Sequence, residues 1–77
     1  IGNTEVDFVA EKQGAYTYYQ VTADMTAQET FEREMRPLAQ IRDNYEKTIL
    51  TADRLTVGNY NGIRVKNLTD WLLGKEN

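Results

Sequence analysis

Three polar residues, set in two segments rich in apolar and aromatic side chains, are the first candidates for chemistry in this sequence. Asp7 lies in the segment Glu5–Ala10, and Gln20 and Thr22 lie in the segment Tyr18–Thr22. A carboxylate or amide oxygen can ligate a hard divalent cation, although the amide brings no negative charge. The chain has no histidine and no cysteine, which removes the commonest transition-metal ligand and general base, and also any thiolate nucleophile.

Length and charge limit what the chain can be. Its 77 residues make a single small domain (1–77), and nine basic against twelve acidic side chains give a net charge of −3. A mildly acidic chain without clustered Lys or Arg does not favour non-specific binding to nucleic acid. The lack of cysteine rules out a disulfide framework, and no apolar run approaches the length of a membrane span. We therefore expect a cytoplasmic protein with no membrane partner.

Two neighbouring strands are predicted at the start of the chain. Side chains alternate along a strand, so Asp7 lies on the face opposite Phe8, and Gln20 shares a face with Thr22. The polar residues Lys12–Gly14 between the two segments are typical of a hairpin loop. Both flanking segments are rich in β-branched and aromatic residues, which favours the hairpin further.

A helix is predicted to follow the hairpin. Thr26 and Glu29 have the spacing of a capping box at its start, and Pro37 predicts a kink near Arg36. Apolar residues spaced by three or four form a single stripe along it: Ala27, Phe31, Met35, Leu38, Ile41 and Tyr45.

The second half of the sequence predicts two more strands and a closing helix. The strands are Lys47–Ala52 and Ile63–Lys66, the segment Asp53–Gly62 between them is a loop, and the helix is Leu68–Leu73. A strand, a helix and a strand make a right-handed crossover in which the two strands run parallel. The predicted fold class is therefore α/β, with a mixed four-stranded sheet in the order β-β-α-β-β-α.

Several of these segments together resemble a known family. The arrangement resembles the core of the PD-(D/E)XK nucleases, which have the restriction-endonuclease-like fold. That core has an acidic residue in one strand, a triplet of carboxylate or amide, apolar residue and lysine in the next strand, and then a crossover helix. More closely, the chain resembles the C-terminal domain of a family of bacterial and archaeal AAA-type ATPases, in Glu5–Ala10, Tyr19–Val21, Thr30–Glu34, Asp43–Tyr45 and Asn67–Leu73. The resemblance implies an upstream domain that binds ATP, and a first helix and first strand of this domain that precede Ile1.

The resemblance also implies a site. In an active nuclease of this fold two carboxylates hold a divalent cation and a lysine assists the attacking water, and the metal offsets the charge that develops during phosphodiester cleavage. Asp7 takes the position of the metal-binding acid, Gln20 that of the second acid and Thr22 that of the lysine. Asp7, Gln20 and Thr22 are thus the candidate catalytic residues, and Asp7 and Gln20 the candidate ligands of Mg²⁺. Two of the three positions have lost their charge.

Other interpretations of these residues stay open. A cationic group could come from Lys12 or from Arg33 and Arg36 on the helix, but the spacing selects none of them, and the two arginines are equally a solvated helix face. Asp7 is equally an ordinary strand residue, and Gln20 a hydrogen-bonded amide of the sheet.

Two further groups have both a functional and a structural interpretation. Tyr16, Tyr18 and Tyr19 could stack on bases, but without interleaved Lys or Arg they are interpreted as packing residues. Three polar residues of the long loop could suggest calcium ligation, yet they lack the spacing that chelation needs: Asp53, Asn59 and Asn61.

The favoured functional hypothesis is a catalytically degenerate nuclease-like module that forms the C-terminal part of an AAA-type ATPase and acts in assembly or target recognition. The alternatives are a metal-dependent nuclease with an incomplete signature and a nucleic-acid-binding domain that does not cleave. Because the core is small and the chain opens at Ile1 without an initiator methionine, we expect a fragment of a larger protein. Its partner would be the upstream ATPase domain, and the fragment would carry no cofactor of its own. The isolated fragment would self-associate through an uncovered face or an open strand edge.

Overall fold

The structure is a computed structural model that describes residues 6–75. It is a small mixed α/β domain with one five-stranded mixed sheet in the order β1-β2-β3-β5-β4. Its elements are β1 (Phe8–Lys12), β2 (Ala15–Thr22), α1 (Gln28–Ala39), β3 (Glu46–Thr51), β4 (Gly58–Tyr60), β5 (Ile63–Asn67) and α2 (Leu68–Leu72).

The predicted hairpin is confirmed. β1 pairs antiparallel with β2, with Phe8 opposite Tyr19. Gln13 and Gly14 form the connection and both have positive φ, 54° and 83°, which is the backbone of the type I′ turn whose twist suits a two-residue hairpin. β1 begins only at Phe8, so Asp7 lies just before the strand and not within it.

The central strands run parallel, as predicted for a crossover. β2 pairs with β3, placing Gln20 opposite Ile49, and β3 pairs with β5, placing Ile49 opposite Val65. The predicted strands Lys47–Ala52 and Ile63–Lys66 correspond to β3 and β5, each within one residue.

The prediction of four strands is wrong, because the segment interpreted as a loop contains a fifth. β4 (Gly58–Tyr60) pairs antiparallel with β5 through a second two-residue turn at Asn61 and Gly62, with φ of 56° and 89°. Gly58 and Asn59 are poor strand formers, so their local sequence does not predict a strand. Pairing with β5 overrides this weak local preference, and the element order becomes β-β-α-β-β-β-α.

Helix α1 begins and ends differently from the prediction. Its N-cap is Ala27, without a side-chain cap, because the Thr26 hydroxyl donates to Asp24 (2.6 Å) and so forms no capping box. Pro37 lies inside the helix, which ends two residues later at Ala39. Helix α2 starts as expected, since Asn67 Oδ1 accepts the Asp70 amide at 3.0 Å.

The two helices define the two faces of the sheet, named here the α1 face and the α2 face. Leu38 of α1 packs into the main core on the α1 face with Met25, Ile41, Ile49, Ile63 and Val65. Burying one such aliphatic side chain contributes about 1.5–3 kcal/mol. Trp71 of α2 contacts Tyr19 on the other face, with ring centroids 5.3 Å apart.

Leu72 and Leu73 at the end of α2 are 68% and 65% exposed and so are not part of the core. No helix in the described residues 6–75 has the length and apolar character to cross a membrane.

Candidate functional site

Asp7 binds the end of β2 through its side chain. Its Oδ2 atom accepts a hydrogen bond of 2.7 Å from the Val21 amide. In two antiparallel strands, every second residue directs its backbone groups at the neighbouring strand. The Tyr19 amide points toward β1, and the Val21 amide, two residues further on, therefore points in the same direction. Because β1 pairs only from Phe8 onward, this amide has no ladder partner, and the carboxylate supplies one.

Gln20 and Thr22 lie on either side of that amide in the sequence, on the α1 face of β2. Continuing the β1–β2 register by one residue from Phe8 and Tyr19 places Asp7 opposite Gln20. Gln20 is 9% exposed, and its Oε1 atom has no hydrogen-bond partner among the described residues. Thr22 ends β2, where its carbonyl accepts the Ala52 amide at 3.3 Å. Asp7 is thus joined to β2 at Val21, the residue between Gln20 and Thr22.

The cationic groups considered from sequence lie at the end of β1 and on α1. Lys12 ends β1, five residues along the chain from Asp7, which is about 17 Å in an extended strand. Arg33 and Arg36 are exposed on α1. Within residues 6–75 no group of three or more Asp, Glu, His or Cys side chains is arranged to hold a metal ion.

The chemical capacity of this arrangement follows from its charges. Asp7 is one carboxylate with an oxygen already bound to an amide hydrogen, Gln20 is a buried neutral amide, and Thr22 is a hydroxyl. An oxygen-ligated divalent cation is held by carboxylates that offset its charge, and here one carboxylate would act alone. Asp7 therefore completes the hydrogen bonding at the end of β2. Gln20 Oε1 is buried without a partner among the described residues, which disagrees with the interpretation of Gln20 as a hydrogen-bonded amide of the sheet.

A second carboxylate, Asp53, joins three parts of the chain. It accepts hydrogen bonds from the Met25 amide (2.8 Å), the Thr51 hydroxyl (2.7 Å), the Leu55 amide (3.0 Å), and the amide and hydroxyl of Thr56 (2.9 and 2.8 Å). Burial pushes the pKa of Asp53 upward, but the hydrogen bonds from Met25, Thr51 and Thr56 outweigh it and hold that pKa well below its usual range. Asp53 therefore holds the loop after β3 to the segment before α1.

Asn59, considered with Asp53 for calcium ligation, also serves a turn. Its side-chain oxygen accepts the Gly62 amide at 2.9 Å. Asn61 occupies the left-handed position of the same turn, which Asn tolerates better than most residues.

A third cluster on the α1 face was not identified from the sequence as a unit. Asp43 accepts the Tyr18 hydroxyl at 2.6 Å and the Lys47 ammonium at 3.0 Å, and Lys47 also donates to the Tyr45 carbonyl at 2.8 Å. The Tyr18 hydrogen bond, with those from Lys47 and the Tyr45 amide, lowers the pKa of Asp43 against a smaller effect of burial. The same hydrogen bond raises the pKa of Tyr18.

This cluster borders a cleft of about 560 Å³ between α1 and the β4–β5 hairpin. Phe31, Met35 and Tyr60 supply part of its apolar lining. Asp43 and Lys47 hydrogen-bond to each other, to the Tyr18 hydroxyl and to the backbone at this border of the cleft. No local sequence pattern predicts this cluster, because it depends on the parallel register that sets Tyr18 opposite Lys47.

The tyrosines are divided between the faces and form no single stacking platform. Tyr16 and Tyr18 contact Tyr45 on the α1 face, with ring centroids 4.9 and 6.4 Å apart. Tyr19 stacks on Phe8 (4.8 Å) on the α2 face. These contacts agree with their interpretation as packing residues.

Comparison with known proteins gives one similarity. An uncharacterized protein of Haemophilus influenzae is 33% identical over 73 residues, which is 95% of this chain but 18% of that protein. The chain thus spans less than a fifth of the relative it matches. No family model matches the sequence, and no solved structure matches it.

Proposed function

We propose that this domain is a catalytically degenerate, nuclease-like module of restriction-endonuclease-like fold, belonging to the C-terminal part of a cytoplasmic AAA-type ATPase, where it acts in assembly or target recognition. The observation that carries the proposal is the hydrogen bond between Asp7 and Val21 beside the buried amide of Gln20. The position that would hold a metal in an active relative has a structural use here.

The strand arrangement supports the ancestry. An antiparallel hairpin, a crossover helix and a parallel strand follow one another as β1, β2, α1 and β3, which is the order that the resemblance implies. Asp7 lies just before β1, and continuing the β1–β2 register by one residue places it opposite Gln20. β4 is an addition to that arrangement, at the far edge of the sheet.

The charges support degeneracy. Phosphodiester cleavage needs charge stabilisation at the non-bridging and leaving oxygens, commonly from divalent metal ions. Gln20 and Thr22 contribute none, and Lys12 lies at the other end of β1. The cluster lacks the groups that would position a cation and assist a water molecule.

A role in contacts is supported by the exposed apolar side chains. Phe8 and Val21 on the α2 face are 40% and 39% exposed, and Leu72 and Leu73 at the end of α2 are more exposed still. Apolar surface of this kind is typical of interaction sites. The match to a small part of a longer relative agrees with a module that contacts other parts of a larger protein. In this proposal, the contact inside that protein is with its ATP-binding domain.

Cleavage assays test the proposal. The chain, and the longer polypeptide that carries it, are incubated with plasmid and single-stranded DNA in Mg²⁺ or Mn²⁺, with Asp7→Ala as the matched variant. The expected result is no metal-dependent cutting. Cutting that Asp7→Ala abolishes would replace this proposal by the metal-dependent nuclease.

A binding titration addresses the remaining alternative. A nucleic-acid-binding domain would bind duplex or single strands with an affinity that falls as salt is raised. With a net charge of −3, we expect no binding to either at low salt.

A further inference from the structure

β1 leaves one of its edges open. The sheet order places it at the end of the sheet, paired with β2 alone, and all five of its residues are exposed. Within residues 6–75, no strand pairs with its outer edge. Unpaired amide and carbonyl groups on such an edge are a template for another strand.

The hairpin turn determines which groups point outward. In a hairpin closed by a two-residue turn, the flanking residues, here Lys12 and Ala15, form a hydrogen-bonded pair, and such pairs alternate along the strands. The backbone groups of Ala10 therefore face β2, and those of Val9 and Glu11 face the open edge. The strand contains no proline, so both outward amides can donate.

We propose that two copies of this chain pair antiparallel along β1, with Ala10 opposite Ala10 of the second copy. This register overlaps the whole strand. It places the outward backbone groups of Val9 opposite those of Glu11 of the second copy, so each such pair can exchange both of its hydrogen bonds. The result is one sheet continuous across both copies.

Charge selects this register over its neighbours. A two-fold axis perpendicular to the sheet keeps the α1 faces of both copies on the same side. The alternative registers are therefore those that place a different residue of β1 at the axis. Centring on Val9 would place Asp7 opposite Glu11 of the second copy, and centring on Glu11 would place Glu11 opposite itself. Like charges directly opposite destabilise a strand pair, and both shifts shorten the overlap. The Ala10-centred register has no such opposition.

The side chains also fit this register. Phe8, stacked on Tyr19 and 40% exposed, would face Lys12 of the second copy on the α2 face. The lysine stem can cover the ring, and its ammonium can lie near the ring face. On the other face, Val9, which is 50% exposed, would pack against the stem of Glu11. This inference depends on the strand edge alone and not on the nuclease ancestry.

A charge-exchange experiment tests the pairing. Average mass is measured over a concentration series by light scattering or sedimentation for the wild-type chain, for Ala10→Glu, for Ala10→Lys and for an equal mixture of the two variants. We expect the wild type to approach twice the monomer mass at high concentration. Each variant alone places two like charges opposite one another at the axis, so its dimer should have a Kd about fivefold higher than that of the wild type. The mixture pairs Ala10→Glu chains with Ala10→Lys chains, so its average mass should return to that of the wild type. Circular dichroism verifies that each variant is folded.

A cross-linking pair tests the register independently. In the proposed dimer the two Ala10 residues form a non-hydrogen-bonded pair with Cα atoms about 4.5 Å apart, within disulfide range. The two Glu11 residues would lie about 8 Å apart, beyond that range. The chain has no cysteine of its own, so Ala10→Cys should form a disulfide-linked dimer under mild oxidation and Glu11→Cys should not. A wild-type monomer at millimolar concentration, variants that associate like the wild type, or equal cross-linking at the two positions would each overturn the proposal.

Discussion

The carboxylate of Asp7 lies 2.7 Å from the amide nitrogen of Val21, at the point where β1 stops pairing with β2. In the nuclease ancestry proposed above, an acidic residue at this position would hold a metal. Here it supplies the hydrogen-bond acceptor that the end of β2 needs. The relationship links the proposed ancestry of the domain to the proposed loss of its chemistry.

The first prediction concerns this hydrogen bond. Asp7→Ala removes the acceptor, and because the site is exposed, water can partly replace it, so we expect the free energy of unfolding to fall by about 1 kcal/mol. Asp7→Asn keeps an acceptor oxygen and should lose less. Urea unfolding measures both, with Glu11→Ala as a control that removes an exposed carboxylate from β1. Equal stability of the three variants and the wild type would show that the bond contributes nothing.

Asp53 gives a prediction about pH. Asp53→Asn keeps the shape but places an amide among donors, and we expect a loss of about 3 kcal/mol at neutral pH. Since the folded-state pKa of Asp53 is depressed, its contribution is fully present above the ordinary carboxyl pKa of about 4 and declines as pH falls toward the folded value. The stability difference between wild type and variant should therefore shrink below about pH 4. A difference that stays constant down to pH 2 would contradict the assignment.

The Tyr18–Asp43 pair predicts reciprocal changes in pKa. Tyr18→Phe removes the hydrogen bond that lowers the pKa of Asp43, so that pKa should rise toward its ordinary value in an NMR titration. Asp43→Asn should in turn lower the pKa of Tyr18, measured by ultraviolet titration. Tyr16→Phe is the matched control, since Tyr16 contacts the ring of Tyr45. An Asp43 pKa that responds equally to both tyrosine substitutions would mean that the hydrogen bond is not the cause.

Local sequence signals predicted much of the fold. The loop Lys12–Gly14 and its β-branched and aromatic flanks predicted the hairpin, because a hairpin depends on residues close together in the chain. β4 was missed since a strand of Gly58, Asn59 and Tyr60 forms only against its neighbour β5. The extent of α1 was overestimated because Ile41 and Tyr45 continue the apolar spacing, although the chain leaves the helix after Ala39.

The candidate site was predictable in part. The alternation of side chains along β2 predicts that Gln20 and Thr22 share a face. The register of the hairpin, continued by one residue, places Asp7 opposite Gln20. The Val21 amide as the partner of Asp7 could not be predicted, because it depends on β1 starting at Phe8. The bond between Tyr18 and Asp43 spans 25 residues and requires the parallel register of β2 and β3, which no local pattern specifies.

The most direct test of the proposed loss of charge at Gln20 and Thr22 is a calorimetric titration with Mn²⁺. The double substitution Gln20→Glu with Thr22→Lys introduces the second carboxylate and the ammonium of an active nuclease. If the side chains at positions 7 and 20 can reach the same cation, this variant has the two carboxylates that hold it. The account predicts no saturable binding to the wild-type chain, and binding to the folded double variant that is lost when Asp7→Asn is added. Wild-type binding that Asp7→Asn abolishes, or a folded double variant that binds no Mn²⁺, would contradict it.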